Sequence, residues 1–492
     1  MSKFNTKTPS TKVKNHEGAD AYSMSAEFEL YALVVTTTLS DSFYEKARDT
    51  VTRIRTLVKK CSPEFVAKLA VYAREEMHLR SIPLVLTVEL SDVHNGDDLV
   101  ARTTERVIQR ADELAEMFAY FAHSKNKPLN KIRKVSKQIE KGIAKAFLKF
   151  DEYAFAKYNR DNAVKLRDVL FKTHPTPVTD EQVELFKKIA NDTLETPVTW
   201  ETELSAKGNN KEVWESLIDS KAVGYMAMLR NLRNILEANV SGKHIDIVTN
   251  YLTYREAVMK SRQLPFRFLS AYKELQSVAS PHTSNVLDAV DKAIITSVEN
   301  VRGFDSNQTI AIACDVSGSM EAAISAKSSV QRYDIGLILG MILQSKCKSV
   351  VSMIFGDTAK IINLPKSSIL QNVQELHRRE GEVGYSTNGH LVIKELIDKK
   401  ISADKVMMFT DCQMWNSYST SDTMAKMWSA YKLLNPSAKL YLFDLAGYGT
   451  TPVSIQSGDV FLIAGWSDKV FDMLSAYEEG SDALKKINSI QI

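Results

Sequence analysis

The chain has 492 residues, which is more than one hydrophobic core usually serves, so we expect at least two domains. Hydrophobic residues make up 44% and charged residues 25%, a composition that is typical of a folded globular protein and excludes a fibrous or disordered one. The 63 basic and 60 acidic residues give a net charge of only +3, so any binding of nucleic acid must depend on local patches.

Several common classes of protein are disfavoured by what the sequence lacks. No run of about eighteen apolar residues occurs, and the first residues have no apolar segment of a signal peptide, so we expect a cytoplasmic protein without a membrane partner. The four cysteines lie far apart with no C-x-x-C pair, which argues against a disulfide framework or a zinc finger. The zinc-protease, phosphate-loop and dinucleotide-loop motifs are also missing.

Apolar residues recur at helical spacing from residue 21 to residue 299, and strand signals are missing there. Ser62 predicts the cap of one helix, with Pro63 in its first turn, and Asp180 predicts the cap of another. A long succession of short helices favours a solenoid of HEAT-like paired helices, at about 40 to 47 residues per pair.

The pattern changes after residue 300 to short apolar runs, which predict strands, separated mostly by amphipathic stretches, which predict helices. This alternation is typical of a doubly wound α/β sheet of the Rossmann-like kind. Gly356 and Asp357 predict a hairpin turn, and therefore one antiparallel edge strand. The predicted strands are 309–314, 350–355, 358–362, 406–410, 440–443 and 460–464, and the predicted helices are 334–343, 391–397, 424–434 and 470–477.

Oxygen-bearing side chains are placed where three segments of the predicted sheet should meet. Asp315, Ser317 and Ser319 follow the first strand, Thr387 lies in a glycine-containing loop, and Asp411 follows a later strand. The carboxyl ends of parallel strands share one edge of the sheet, so these residues should converge there. Two carboxylates and three hydroxyls suit a divalent cation, Mg²⁺ or else Mn²⁺, with one position open for a partner. The alternative is that the serines only cap a strand-to-helix turn.

This D-x-S-x-S run, with its threonine loop and strand-ending T-D, resembles the metal-ion-dependent adhesion site (MIDAS) of a von Willebrand factor A domain. The resemblance covers about residues 305 to 480. It implies that the same five residues are ligands of the cation, although Ser386 stands before the threonine where the family often has glycine.

Basic residues are concentrated between residues 124 and 149, where nine of them face one acidic residue. Five lysines step by three or four positions, which predicts a continuous stripe along one helix beside an apolar face. Such a stripe can neutralise RNA phosphates, although a solvated lysine-rich face is the simpler alternative. The stripe consists of Lys134, Lys137, Lys141, Lys145 and Lys149.

The following segment mixes cations with aromatic rings, which is typical of surfaces that contact phosphates and stack on bases. The rings could equally belong to the hydrophobic core. The cations are Lys157, Arg160, Lys165, Arg167, Lys172 and His174, and the rings are Tyr153, Phe155 and Tyr158.

Over nearly its whole length the sequence resembles the TROVE module of the Ro autoantigen family, a ring of helical repeats joined to a von Willebrand A domain. The resemblance assigns residues 15–300 to the TROVE module and 301–492 to the A domain. The motifs that carry it are Asn15 to Ala19, Lys157 to Arg160, His174 with Pro175, Met228 to Arg233, Leu264 to Arg267 and Asp315 to Ser319.

The resemblance implies a non-enzymatic RNA-binding protein that forms a ribonucleoprotein. Members bind small structured Y RNAs on the outside of the ring and single-stranded 3′ ends of misfolded RNAs in its central hole. It implies RNA contacts at Lys157, Arg160 and His174, with Arg167 beside them. Bacterial relatives can couple RNA to an exoribonuclease, so a protein partner at the A domain is a further expectation, whereas DNA is not expected.

Arginines on apolar helices extend the RNA hypothesis to the inside of the ring. If they face inward they need an anionic partner, and RNA phosphate would serve. The alternative is that they pair with acids such as Glu237 or Glu256. The arginines are Arg230, Arg233, Arg262 and Arg267.

The rival function is a protein-interaction scaffold whose A-domain cation captures a carboxylate of a partner. Metal-dependent hydrolysis has weaker support because no paired base is evident.

Overall fold

The computed structural model describes most of the 492 residues. Its description leaves out residues 1–11, 15–19, 37–47, 126–134, 160–163, 196, 264, 301–307, 324–329, 380, 415–422, 449, 455–458 and 465–482.

Short helices make up most of the described chain before residue 300, as the apolar spacing predicted. Two strands precede them, β1 (Lys12–Lys14) and β2 (Asp20–Ser23), and they pair antiparallel. Strands were not predicted after residue 21, so β2 is a correction: four residues are too few for a period-two pattern to stand out. The helices are α1 (Ala26–Thr36), α2 (Arg48–Val58), α3 (Pro63–Glu75), α4 (Ser81–Val93), α5 (Leu99–Val107), α6 (Ala111–Ser124), α7 (Lys137–Phe147), α8 (Glu152–Tyr158), α9 (Leu166–Thr173), α10 (Asp180–Asn191), α11 (Trp200–Lys207), α12 (Lys211–Asp219), α13 (Tyr225–Arg230), α14 (Leu232–Glu237), α15 (Gly242–Thr253), α16 (Arg255–Ser261), α17 (Pro265–Leu275) and α18 (Thr283–Ser297).

Helix caps fix where two of these helices begin. The Ser62 hydroxyl accepts a hydrogen bond of 3.2 Å from the backbone N–H of Phe65 at the start of α3, which confirms the predicted cap. The predicted cap of α10 is wrong by one residue. The hydroxyl of Thr179 accepts the N–H of Gln182 at 3.3 Å, and Asp180 is the first helical residue, where its charge favours the helix N-terminus.

Helices α5 and α7 approach each other closely at a glycine. A Cβ atom on Gly142 would lie 2.3 Å from Cβ of Thr104 and 2.6 Å from the carbonyl oxygen of Ala101. Ile139 and Ile143 on the same face of α7 are fully buried, as the predicted apolar face requires. Glycine therefore sets how closely α7 packs, and that contact in turn decides which side of α7 faces solvent.

The part of the chain after residue 300 forms the predicted doubly wound α/β fold. Every predicted strand is present, and so are the predicted helices except 470–477, which lies outside the described residues. The elements are β3 (Thr309–Asp315), α19 (Arg332–Lys346), β4 (Ser349–Phe355), β5 (Ala359–Ile362), α20 (Leu370–Arg378), α21 (His390–Asp398), β6 (Lys405–Thr410), α22 (Met424–Leu434), β7 (Lys439–Asp444), β8 (Thr450–Thr451), β9 (Val460–Ala464) and α23 (Ala483–Asn488).

The main sheet has six strands in the order β5-β4-β3-β6-β7-β9. All neighbours are parallel except β4 and β5, which are antiparallel across the predicted turn at Gly356 and Asp357. Every residue of the central strand β6 is buried, because helices cover both faces of such a sheet. The small strand β8 pairs with β2 in a separate three-stranded sheet.

The chain packs into two compact units, one formed by residues 1–25 and 199–480 and the other by residues 26–198 and 481–492. In the second unit α23 packs on α3, with Ile487 fully buried, and the Lys68 ammonium donates a hydrogen bond of 2.7 Å to the Asn488 carbonyl. The domain boundaries predicted from the sequence, 15–300 and 301–492, stay a prediction. They divide the chain by its resemblance to two families, whereas the two units divide it by packing.

The sequence predicted neither a disulfide framework nor a membrane-spanning helix. All four cysteines are buried free thiols, in agreement with the predicted lack of a disulfide framework. In the part of the chain that is described, no helix is both long and apolar enough to cross a bilayer.

Candidate functional site

The first candidate site lies at the carboxyl edge of the main sheet, where β3 and β6 run side by side. Asp315 ends β3 and Asp411 follows β6, and both side chains are buried. The Asp315 carboxylate accepts a hydrogen bond of 2.6 Å from the Thr410 hydroxyl through Oδ2 and one of 3.0 Å from the Ser317 N–H through Oδ1. The parallel register therefore places both predicted carboxylates at one edge, as the sequence suggested.

Backbone hydrogen bonds tie the other predicted ligands to this edge. The hydroxyl oxygens of Ser317 and Ser319 lie 3.3 Å apart in the turn after β3. The Gly318 N–H donates a bond of 2.9 Å to the carbonyl of Tyr385, two residues before Thr387, whose side chain is buried. The serine turn and the threonine loop are therefore held together.

Electrostatics at this edge favour a cation. Burial and, to a smaller extent, the neighbouring charge of Asp411 raise the pKa of Asp315 to about 7, against hydrogen bonds from Ser317 and Thr410 that lower it. Two carboxylates in a poorly solvated site repel each other, and a divalent cation between them would remove that repulsion.

The donor chemistry fits a hard cation better than zinc. The predicted set contains only carboxylate and hydroxyl oxygens, which Mg²⁺ and Mn²⁺ accept. Among the described residues, neither this edge nor any other part has a group of three or more histidine, cysteine, aspartate or glutamate side chains that could hold a metal ion. The adjacent thiols of Cys314 and Cys412 are buried, and burial raises the pKa of both, which makes them poor ligands. Occupancy of this site stays a prediction.

A third buried carboxylate, Asp444, was missed by the sequence interpretation. It ends β7 opposite Thr410 of β6, and burial raises its pKa to about 6. Its Oδ1 accepts N–H bonds from Ala446 and Gly447 at 2.9 and 2.7 Å, whereas Oδ2 accepts none from the residues described. The detectable signal was an aspartate at the end of a buried strand, the same signal that identified Asp315.

The second candidate site is the basic surface of the unit that contains α7, α8 and α9. Lys137, Lys141 and Lys145 are exposed on α7, opposite its buried apolar face, as predicted. Lys145 lies 3.8 Å from the carboxylate of Glu105. Lys134 is outside the described residues.

Lys149 does not continue the stripe, because α7 ends before it. Its ammonium donates to the carbonyls of Glu105 and Ile108 at the end of α5, the latter at 3.3 Å. Burial lowers the pKa of Lys149. This lysine therefore stabilises the contact between α5 and the residues after α7.

The cations of α8 and α9 lie beside aromatic rings. The Lys157 ammonium is 5.9 Å from the ring centroid of Tyr153, and the Arg167 guanidinium is 5.6 Å from that of Phe171. His174 is exposed at the end of α9, and Arg160 lies outside the described residues.

The aromatic rings of this segment divide between core and surface. Phe155 is fully buried, which supports the core interpretation for that ring, whereas Tyr153 is 52% exposed. The guanidinium of Arg110 lies 4.5 Å from the Tyr158 ring centroid. Phe171, which the sequence did not single out, is also 52% exposed.

Four cations of this surface have no acidic partner among the residues described. They are spread over α7, α8 and α9, of which α7 packs on α9. Unneutralised cations on packed helices are the pattern that binds polyanions. The four residues are Lys137, Lys141, Lys157 and Arg167.

The predicted arginines differ in their surroundings. Arg233 pairs with Glu274 at 2.8 Å and lies 3.7 Å from Glu237, so the ion-pair alternative holds for this residue. Arg230 is exposed and forms no ion pair with any described residue. Desolvation and the nearby charge of Arg230 lower the pKa of Arg267, although part of its side chain is exposed. Arg230 and Arg267 thus place two positive charges close together.

The sequence matches known families over most of its length. Residues 23–194 and 190–335 match the TROVE domain, and residues 309–478 match the Ro60 vWA domain. The two matches together include the helices α1 to α19 and all six strands of the main sheet.

Individual proteins show narrower likenesses. The mouse and rat proteins named telomerase protein component 1 are each 46% identical over 99 residues, which is 19% of this chain and 4% of those proteins. The chain therefore spans only a small part of these relatives. The crystal structure of the Deinococcus radiodurans Ro (RSR) protein matches with a TM-score of 0.64 and 17% identity, over 93% of this chain and all of that one. This likeness shows a shared fold.

Proposed function

Because this chain belongs to the TROVE-domain family and carries a Ro60-type von Willebrand A domain, we propose that it is a non-enzymatic RNA-binding protein that forms a ribonucleoprotein. Family membership supports RNA as the partner class. The finer parts of the proposal are a small structured, Y RNA-like ligand on the outer basic surface and the single-stranded 3′ ends of misfolded RNA in the central hole of the ring.

The observation that carries this proposal is a set of cations, exposed on α7 and α9 and partly exposed on α8, that have no acidic partner among the described residues. Lys137 and Lys141 stand one helical turn apart on the solvent face of α7, and Arg167 lies on the adjacent α9. Glu140 stands three residues after Lys137 but forms no ion pair with it in the described structure, and Lys141 has no acid at i+3 or i+4. Phosphates would neutralise these charges and release counterions.

The salt dependence of binding tests this proposal. We expect a labelled RNA hairpin to bind with a Kd that rises steeply with salt. The Lys137→Glu/Lys141→Glu variant should reduce the slope of log Kd against log salt by about 1.5, if each lysine neutralises one phosphate. The matched control is Lys59→Glu/Lys60→Glu, which changes the same charge at two exposed lysines in the turn after α2. Equal slopes for both variants would contradict the proposed surface.

We also propose that the α/β domain binds one Mg²⁺ or Mn²⁺ ion. Asp315, Ser317, Ser319, Thr387 and Asp411 would hold it, and the ion would supply an open coordination position for an acidic group of a partner. The buried, mutually repelling carboxylates at the end of β3 and after β6 support this. We propose that the partner at that position is a protein, such as an exoribonuclease. The α/β domain would then act as a protein-interaction scaffold in addition to the RNA-binding role.

A further inference from the structure

Two exposed aromatic rings each lie beside a cation on their own helix. Tyr153 on α8 and Phe171 on α9 are both 52% exposed. Lys157 follows Tyr153 by four residues and Arg167 precedes Phe171 by four, so each pair shares one face of its helix. The same combination of ring and cation therefore occurs on two successive helices.

Helix α9 presents its ring between two basic groups. Arg167, Phe171 and His174 are spaced by four and three residues, which places them in a row along the helix. The opposite face is buried through Val169 and Leu170. The backbone of His174 is left-handed, with φ of 45°, and ends the helix at this point.

Nothing in the described structure neutralises the cation beside the Phe171 ring. Asp168, the acid on this helix, accepts the N–H of Lys165 at 3.0 Å and so caps the helix start. Arg167 forms no ion pair with a described residue. An apolar ring that stays half exposed next to an unneutralised guanidinium offers a stacking face and a phosphate contact together.

We propose that the exposed rings of Tyr153 and Phe171 stack on unpaired RNA bases, while Lys157 and Arg167 hold the adjacent phosphates. This inference rests on the proposed RNA-binding function and adds the chemistry of the ligand. A base inside a duplex is covered on both faces by its neighbours, whereas a base in a loop, bulge or single-stranded end has a free face. The ligand is therefore an RNA that presents unpaired bases beside its stem.

The test uses a hairpin RNA that carries the fluorescent base 2-aminopurine in its loop, with a fully paired duplex of equal length as the comparison. We expect tighter binding of the hairpin and quenching of 2-aminopurine fluorescence when the full-length protein binds. Phe171→Leu keeps an apolar side chain but removes the ring, and should weaken hairpin binding by about five- to hundredfold. Phe171→Trp should restore both affinity and quenching. The same change at Tyr153 should act in the same direction.

The control is Tyr254→Leu. Tyr254 is 54% exposed, like the two proposed rings, but its hydroxyl donates to the Glu256 carboxylate at 2.8 Å, so an acid stands beside it. We expect no change in RNA binding. If Phe171→Leu and Tyr153→Leu both match the wild type while salt-sensitive RNA binding persists, the stacking inference is wrong and the proposed function survives. If the wild type binds neither RNA, both are wrong. Thermal unfolding of each variant shows whether it is folded.

Discussion

The ammonium group of Lys273 lies 2.6 Å from the buried carboxylate of Asp334, which joins α17 of the helical region to α19 of the α/β fold. The other oxygen of Asp334 is 2.6 Å from Nε2 of His377, and the N–H of Gln331 donates to the carboxylate at 2.8 Å. Removing one partner of a buried carboxylate is destabilising, because the charge is then left without compensation. We therefore expect this cluster to stabilise the packing of α17 on α19.

We expect Asp334→Asn to lower the free energy of unfolding by about 3 kcal/mol, because it leaves the partly buried ammonium of Lys273 without its charge partner. Urea unfolding followed by circular dichroism measures this change. Asp246→Asn, at an exposed aspartate of α15, should change stability by less than about 0.5 kcal/mol. A comparable loss in both variants would argue against the role of the cluster.

The same cluster predicts the direction of a pH dependence. Burial would raise the pKa of Asp334, but hydrogen bonds from His377, Gln331 and Lys273 outweigh it and hold the pKa below the usual 3.8. The carboxylate therefore contributes its full stability above the unfolded-state pKa and loses it as the pH falls through the lower folded-state pKa. Unfolding measured between pH 3 and pH 6 should show a decline below about pH 4 that is shallower in Asp334→Asn.

Magnesium should stabilise the protein through the edge of β3 and β6. At ten times its Kd, one bound ion raises the free energy of unfolding by about 1.4 kcal/mol, which thermal unfolding in Mg²⁺ against EDTA detects. Asp315→Asn should abolish that gain. Asp444→Asn is the control, since Asp444 lies outside the predicted ligand set. Loss of the magnesium effect in the Asp444 variant alone would mean that the ligands have been wrongly assigned.

We expect the neighbouring residues Arg230 and Arg267 to favour binding of RNA with a single-stranded 3′ tail. Arg230→Ala or Arg267→Ala should reduce the preference for a tailed hairpin over a blunt one by about 10- to 100-fold, as expected when a charge-assisted hydrogen bond to phosphate is lost. Arg233→Ala is the matched control, because Arg233 is already paired with Glu274. Equal affinity of the wild type for both hairpins would remove the basis for a 3′-end site.

The close contact of α5 and α7 makes Gly142 intolerant of a side chain. Alanine normally stabilises a helix relative to glycine, but at position 142 its Cβ would collide with Thr104 and Ala101. We expect Gly142→Ala to destabilise the protein by about 1 to 3 kcal/mol in urea unfolding. Gly224→Ala, where the added Cβ meets nothing within 4 Å, should have little effect.

Local sequence patterns were sufficient to predict most of the helices and strands. The features that were not predicted depend on contacts between residues far apart in the chain. Strand β6 was predictable because its buried residues form one apolar run, and Asp315 because a strand end fixes its position. Lys149 continued the four-residue spacing of the stripe, yet α7 ends at Phe147 and the side chain turns to α5. Spacing along the chain carries no information about such a partner.

The pairing of Lys273 with Asp334 was likewise invisible in the sequence. The two residues are 61 positions apart, and neither belongs to a motif. The exposed Phe171 lay inside a segment already identified as basic, but only the structure separated it from the buried Phe155. Burial depends on which helix covers which face, and periodicity alone does not determine that.

Cross-linking in the native cell tests the central claim most directly. The protein is irradiated with ultraviolet light, purified under denaturing conditions, and the attached RNA is sequenced while the cross-linked peptides are identified. We predict small structured non-coding RNAs attached to peptides within residues 137–174. Recovery of no RNA above that of an unirradiated sample, or cross-links confined to peptides outside this region, would contradict the account.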